Sequence, residues 1–324
     1  MYSSAYQTWI EDLKLMEKEG FYCALIPEFG NQRDTIALSA LGAVETKNIK
    51  LGLFVVPYIK HPVVIASSVA TIDEISNGRA FMILGLGGFM TLRSLGIKTW
   101  EQPLAALRET TRIVRDLFNN RSVDFDGKMY SPKGAKLGFT ANKDIPIFIA
   151  AMSGEKILNM AGEVADGVLL AGPYGKYTKV IIDKVKESAK NAGRDPDRVK
   201  IAMDVVFLSY EDGEKAVDTI KPFIAKEILL DPRLRPAVDA EGIDVEELER
   251  VIRKGNSGAE LITDEIVDAF AVAGSPDYCV ERFKELERMG VDISIPYSPW
   301  ALVPPEPLRD KIKMIGERII PEFE

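Results

Sequence analysis

The strongest constraint in this sequence is its alternation. Short apolar runs rich in β-branched residues recur along the chain, separated by longer segments of helical period. The runs span 22–27 ("YCALIP"), 49–56 ("IKLGLFVV"), 80–86 ("AFMILGL"), 145–151 ("IPIFIAA"), 167–171 ("GVLLA"), 199–208 ("VKIAMDVVFL") and 291–296 ("VDISIP"). Most are nearly continuous in apolar residues, as parallel strands covered on both faces are. Helices fit between them. In "SPDYCVERFKELERMGVD", Ser275 is placed as the N-cap and Pro276 as the first helical residue. Val280, Phe283, Leu286 and Met289 then share one face, and Gly290 suits the position just past the last turn. Trp9, Leu13 and Met16 form a similar stripe near the start, expected to be core packing. Strand–helix alternation predicts an α/β fold with a mostly parallel sheet, a (β/α)8 TIM-type barrel with insertions.

Seven strands are visible. An eighth belongs before the first helix, which begins almost at Met1, so the first barrel strand is expected to be missing from this sequence. Two stretches exceed plain barrel connections. Residues 120–143 carry a hairpin with Asp126-Gly127 as its turn, and 210–263 are helical and charged. Neither has the composition of a linker, so 1–324 reads as one barrel domain with insertions.

Composition narrows the function. The 324 residues carry a net charge of −8 with no block of Lys or Arg, which argues against nucleic acid as a partner. No apolar run approaches the roughly 18–20 residues that span a bilayer, and without a basic start followed by an apolar stretch no secretory signal is expected. Cys23 and Cys279 stand far apart without metal-ligand spacing. A cytoplasmic, reduced protein without a metal is expected. The single histidine, His61, excludes multi-histidine metal sites and reads as the residue ahead of a helix begun by Pro62.

Three strand ends are candidates for a site. Gly85, Gly87 and Gly88 follow the third strand. Their spacing fails the dinucleotide fingerprint at its third glycine, and no Gly-Lys-Ser/Thr follows to make a P-loop. A tight turn or close approach to the backbone remains. Ala150, Ala151 and Met152 end the fourth strand, and Ser153-Gly154 open a helix whose N-terminus suits either a phosphate or an ordinary cap. Leu53-Phe54 lie near the end of the second. Small residues at barrel strand ends leave room for a planar cofactor.

In order along the chain come "ASSVATIDEISNGRAFMILGLGG", "DFDGKMYSPKGAKLGF", "IPIFIAAMSGEKILNMAGEVADGVLL" and "DAFAVAGSPDYCVERFKELERMGVD". Together they resemble the luciferase-like flavin and deazaflavin oxidoreductases, and within them the methylenetetrahydromethanopterin reductase branch, which uses coenzyme F420. The resemblance covers nearly the whole chain. It implies a barrel with the cofactor ring across the C-terminal strand ends. Leu53 and Phe54 match a bulge in the family's third strand, where a non-prolyl cis peptide often backs the ring. Gly85, Gly87 and Gly88 match the end of family strand four, which lines the ring or its side chain. Ala150, Ala151, Met152, Ser153 and Gly154 match the end of strand five and the loop toward the cofactor tail. Glu28 and Phe29 stand where many deazaflavin members carry an Asp-His pair, leaving Glu28 as the candidate acid near the substrate. The implied function is hydride transfer between coenzyme F420 and a small organic substrate such as a pterin. The alternatives are an FMN-dependent monooxygenase and a non-catalytic homologue with a degraded site. Resemblance also implies a homo-oligomer.

Overall fold

The computed structural model describes residues 6–29, 32–97, 102–172, 175–298 and 308–323. They form two compact units, 1–150 with 163–167, and 151–162 with 168–324.

In the first unit strands and helices alternate: α1 (Tyr6–Lys18), β1 (Cys23–Ile26), α2 (Thr35–Glu45), β2 (Lys50–Val55), α3 (Pro62–Ser76), β3 (Ala80–Leu84), α4 (Phe89–Ser94), α5 (Pro103–Phe118) and β4 (Ile147–Ala151). β1 to β4 pair in sequence order, all parallel. β3 is buried along its whole length, as its unbroken apolar run requires. The core is made by Leu51, Leu53, Val55, Met82, Ile83 and Leu84 from the strands and by Ile65, Val69, Ile113 and Val114 from the helices. The stripe on α1 docks at Gly42, where a side chain would overlap Leu13 and Trp9. His61 caps α3, its Nδ1 accepting from the Val63 N–H at 3.3 Å, with Pro62 at the first helical position. The hairpin expected at 120–143 is present as an irregular one: Val123 and Ala135 form an antiparallel bridge, and the Phe125 and Gly127 N–H groups donate to the Pro132 and Tyr130 carbonyls, both at 3.0 Å, so its turn spans 127–130. The buried Glu109 carboxylate holds its turn, accepting from the backbone N–H groups of Lys128, Met129 and Tyr130 at 2.8, 3.0 and 3.1 Å.

The second unit continues with α6 (Glu155–Val164), β5 (Gly167–Gly172), α7 (Tyr177–Asn191), β6 (Lys200–Ser209), α8 (Gly213–Phe223), α9 (Arg235–Ala240), α10 (Val245–Arg253), α11 (Asp264–Phe270), β7 (Val272–Gly274), α12 (Pro276–Met289), β8 (Ile293–Tyr297) and α13 (Leu308–Met314). α6 and β5 begin or end within the first unit's share of the chain. β6 pairs in parallel with β8, Ala202 opposite Ile293 through Val206 opposite Tyr297. The last three residues of β6 pair with β7. α12 has the expected caps: Ser275 Oγ accepts from the Tyr278 N–H, and Gly290 ends it at φ +103°. The insertion at 210–263 is helical, as expected.

All seven strands read from the sequence are present, each within two residues of its expected bounds. β7 is an addition. It pairs only at the C-terminal end of β6, so it extends that end rather than the run of seven. Among the described residues no helix is long and apolar enough to cross a membrane, and no three His, Cys, Asp or Glu side chains gather as a metal site.

Candidate active site

In the first unit the C-terminal ends of β1, β2, β3 and β4 bring together most of the expected residues. Glu28, two residues past β1, is buried. One carboxylate oxygen accepts from the Val56 N–H at 2.8 Å and the other is ion-paired with Lys60 Nζ. Lys60 also lies 3.2 Å from Asp34 Oδ2, and Asp34 caps α2 by accepting from the Ala37 N–H at 2.9 Å. Burial opposes the Lys60 charge, but hydrogen bonds and charge from Glu28 and Asp34 carry its pKa above the usual lysine range. Asp34 shows the converse: burial pushes its pKa up, and the Ala37 N–H and Lys60 bring it below the ordinary carboxylate value. Glu28 therefore sits in this site as the partner of a fixed cation.

Beside this triad, Tyr130 donates its hydroxyl to the Pro57 carbonyl at 2.8 Å, and His61 meets the Tyr130 ring edge-on at 5.5 Å between centroids. The Tyr58 hydroxyl is buried with no partner among the described residues, and burial raises its pKa to about 12.

Phe54, Gly85 and Ala150 converge. A Cβ on Gly85 would overlap the Phe54 ring and stand 3.4 Å from the Ala150 Cβ. The glycine is therefore required by close approach, and the ring that approaches is the chain's own. Leu53 is fully buried beneath, paired with Met82. The bulge expected at Leu53-Phe54 is absent. β2 pairs residue for residue with β3 from Leu51 to Val55, and with β1 as far as Leu53. Gly87 is the turn glycine, at φ +72° with a side chain excluded by Leu92 and Val56. The Gly88 carbonyl starts α4 by accepting from the Leu92 N–H at 3.0 Å.

The remaining expected residues lie in the second unit. Ala151 is buried at the end of β4, and Met152 keeps part of its surface. Ser153 donates its hydroxyl to the Arg233 carbonyl, so it is engaged by the insertion rather than free as a helix cap. Gly154 is exposed, and a Cβ there would meet only Ile157, at 3.5 Å. Its carbonyl accepts the first N–H bonds of α6, from Ile157 and Leu158. Glu155 follows, paired with Lys184 Nζ at 2.7 Å.

The sequence reading missed Lys60, Asp34 and Tyr130, and in the second unit Asp204. Asp204 is the one charged residue inside the apolar core of "VKIAMDVVFL", a signal that was available. Burial alone pushes its carboxyl up to about 7. Phe207, three residues on, packs against Phe283 of α12 with centroids 5.8 Å apart. Alternation along the strand therefore puts Asp204 on the opposite face, with Tyr297 of β8, whose register partner is Val206.

Parallel strands with helical crossovers and polar groups gathered at C-terminal strand ends are the arrangement found in α/β enzymes of the TIM-barrel type. The chain belongs to the luciferase-like monooxygenase family, whose model matches residues 2–293. It is 36% identical over 315 residues to a 5,10-methylenetetrahydromethanopterin reductase of Methanolobus tindarius, covering 95% of this chain and 94% of that one. An Archaeoglobus fulgidus protein of the same name is 34% identical, over 96% of this chain and 94% of its own. The coenzyme F420-dependent tetrahydromethanopterin reductase of Methanopyrus kandleri superposes with a TM-score of 0.87 at 29% identity, over 100% of this chain and 97% of that one.

Proposed function

We propose that this chain is a coenzyme F420-dependent oxidoreductase, transferring hydride between the deazaflavin and a methylenetetrahydromethanopterin-type substrate. The observation that carries this reading is end-to-end likeness, 36% identity over 95% of the chain, to a protein named for that reaction. The residues present fit parts of such a cofactor. The Phe54 ring, seated over Gly85 beside the Ala150 methyl, offers a flat apolar surface suited to a planar heterocycle. Gly154 leaves the start of α6 open to close approach, and free N–H groups at a helix N-terminus suit a phosphate. Leu53, Gly87 and Gly88 shape the first surface; Ala151, Met152 and Ser153 border the second.

When bound, the deazaflavin supplies or accepts the hydride. The chain's own contribution is to orient substrate and exclude water. Glu28 takes the role of a positioning residue: with Asp34 it fixes Lys60 at the strand ends.

The test is a titration of purified protein with coenzyme F420 and with FMN, followed by fluorescence. F420 fluorescence is expected to change at micromolar protein and FMN fluorescence to stay constant, and reduced F420 to be oxidised on adding the methylene pterin. Binding of FMN alone would put the monooxygenase reading in its place. Binding of neither would leave a non-catalytic homologue.

A further inference from the structure

We propose that Tyr130 is a positioning residue for hydride transfer: one hydrogen bond from its hydroxyl to the Pro57 carbonyl sets the end of β2, and with it the Phe54 ring. This assignment rests on the reading of the chain as a coenzyme F420-dependent oxidoreductase whose cofactor ring packs against Phe54. Every residue it involves belongs to the first unit.

Three observations point to Tyr130. The first is where the β2 ladder stops. Its last bond to the β3 side runs from the Gly85 N–H to the Val55 carbonyl, at 3.2 Å. Past that point two side chains hold the main chain. Glu28 accepts from the Val56 N–H at 2.8 Å, and the Tyr130 hydroxyl donates to the Pro57 carbonyl at 2.8 Å. The turn that follows hangs on the same residues, since the Ile59 and Lys60 N–H groups fold back onto the Val56 carbonyl at 2.9 and 3.3 Å. Phe54, whose ring fills the space above Gly85, stands three residues before Pro57. The second is that Tyr130 is itself fixed. Its N–H, with those of Lys128 and Met129, is taken by the Glu109 carboxylate on α5. A side chain on Gly127 would overlap that carboxylate, so the turn is fitted closely around it. The hydroxyl is therefore presented from a rigid support. The third is its reach. The Tyr130 ring meets His61 edge-on, with centroids 5.5 Å apart, and His61 caps α3. Tyr130 thus touches both ends of the loop 57–61, the carbonyl of its first residue and the ring of its last. Within that loop Lys60 is held by Glu28 and Asp34. The one hydroxyl proton is engaged by Pro57, so Tyr130 acts on the site through the main chain.

Tyr130→Phe keeps the ring and its contact with His61 and removes only the hydroxyl. Amide hydrogen exchange of the ligand-free protein is compared for wild type and Y130F, with urea unfolding alongside. The Val56, Ile59 and Lys60 amides are expected to exchange about five-fold faster or more, the factor one net hydrogen bond confers. The amides of β3 and β4 and the urea midpoint are expected to stay as in wild type. Single-turnover oxidation of reduced F420 by the methylene pterin is expected to slow about ten-fold or more, with the F420 dissociation constant rising less than about three-fold. Unchanged exchange at residues 56–60 overturns the assignment. So does faster exchange there with hydride transfer still within about two-fold of wild type. Faster exchange throughout the first unit, with a lowered urea midpoint, makes Tyr130 a residue of the fold alone and overturns it as well. If the wild type itself neither binds nor oxidises F420, the functional reading falls and takes this assignment with it. If the wild type turns over and Y130F keeps pace, only the assignment falls.

Discussion

At the scale of single residues, Arg79, in the "SNGR" that closes α3, is held from several sides. Its guanidinium donates to the carbonyls of Ser76, Ile49, Ala43 and Thr46 and to the Thr46 hydroxyl, at 2.8–3.0 Å. Four of these five acceptors lie at the C-terminal ends of α2 and α3, where carbonyls lack intrahelical donors and the dipole favours a cation. Asn77 at φ 57° makes the turn that sends the chain back beneath them. Arg79→Met should cost about 3 kcal/mol or more, because several buried carbonyls lose their donor together. Arg79→Lys should recover only a minor share, since an ammonium cannot span the fork. Urea denaturation measures both, and equal stability of Lys and Arg variants would refute the account. The motif was visible in the sequence, but its purpose was not. Its partners on α2 lie 33 and 36 residues upstream, and only folding brings them near.

At the scale of elements, β2 and β3 are joined by a specific fit as well as by their ladder. The Phe54 ring fills the space that a side chain on Gly85 would need. Gly85→Ala should therefore destabilise by about 1–3 kcal/mol through overpacking, and Phe54→Ala by a comparable or larger loss of packing. The double variant should cost at least about 1 kcal/mol less than the sum, because the new methyl occupies room the ring vacated. Strict additivity in denaturant titrations would show that the two do not share that space. The strands themselves were legible because a strand covered on both faces must be apolar at every position. β7 was not, since Val272–Gly274 is too short to carry a period. The bulge at Leu53-Phe54 came from resemblance alone, and the unbroken register with β3 removes it. Of the site, the glycines and small residues could be read because backbone requirements leave a mark on sequence. Lys60 and Asp34 could not, because a lysine in a loop looks the same whether solvated or paired.

At the scale of the whole molecule, Asp204 makes stability depend on pH in a direction opposite to that of most carboxylates. Its native pKa, about 7, lies above the ordinary 3.8. The native state therefore binds more protons than the unfolded chain across this window. The contribution is fully present below about pH 4 and is lost as pH rises through about 7. At most the change is about 4 kcal/mol. The stability of wild type relative to Asp204→Asn should fall across that window and level off above it. A flat difference curve from equilibrium unfolding at several pH values would show that Asp204 titrates normally. A fold that keeps such a group at neutral pH gives up stability for it, which is characteristic of functional positions.

Ser153 has a single hydroxyl proton, and in this structure the Arg233 carbonyl, 80 residues away in sequence, receives it. An anion that recruits that proton at the start of α6 must take it from the turn at Pro232–Leu234. By linkage, occupancy at the helix end and order in the insertion are two readings of one equilibrium. Substitutions in the insertion that tighten or loosen that turn thus become a means of tuning affinity from a distance.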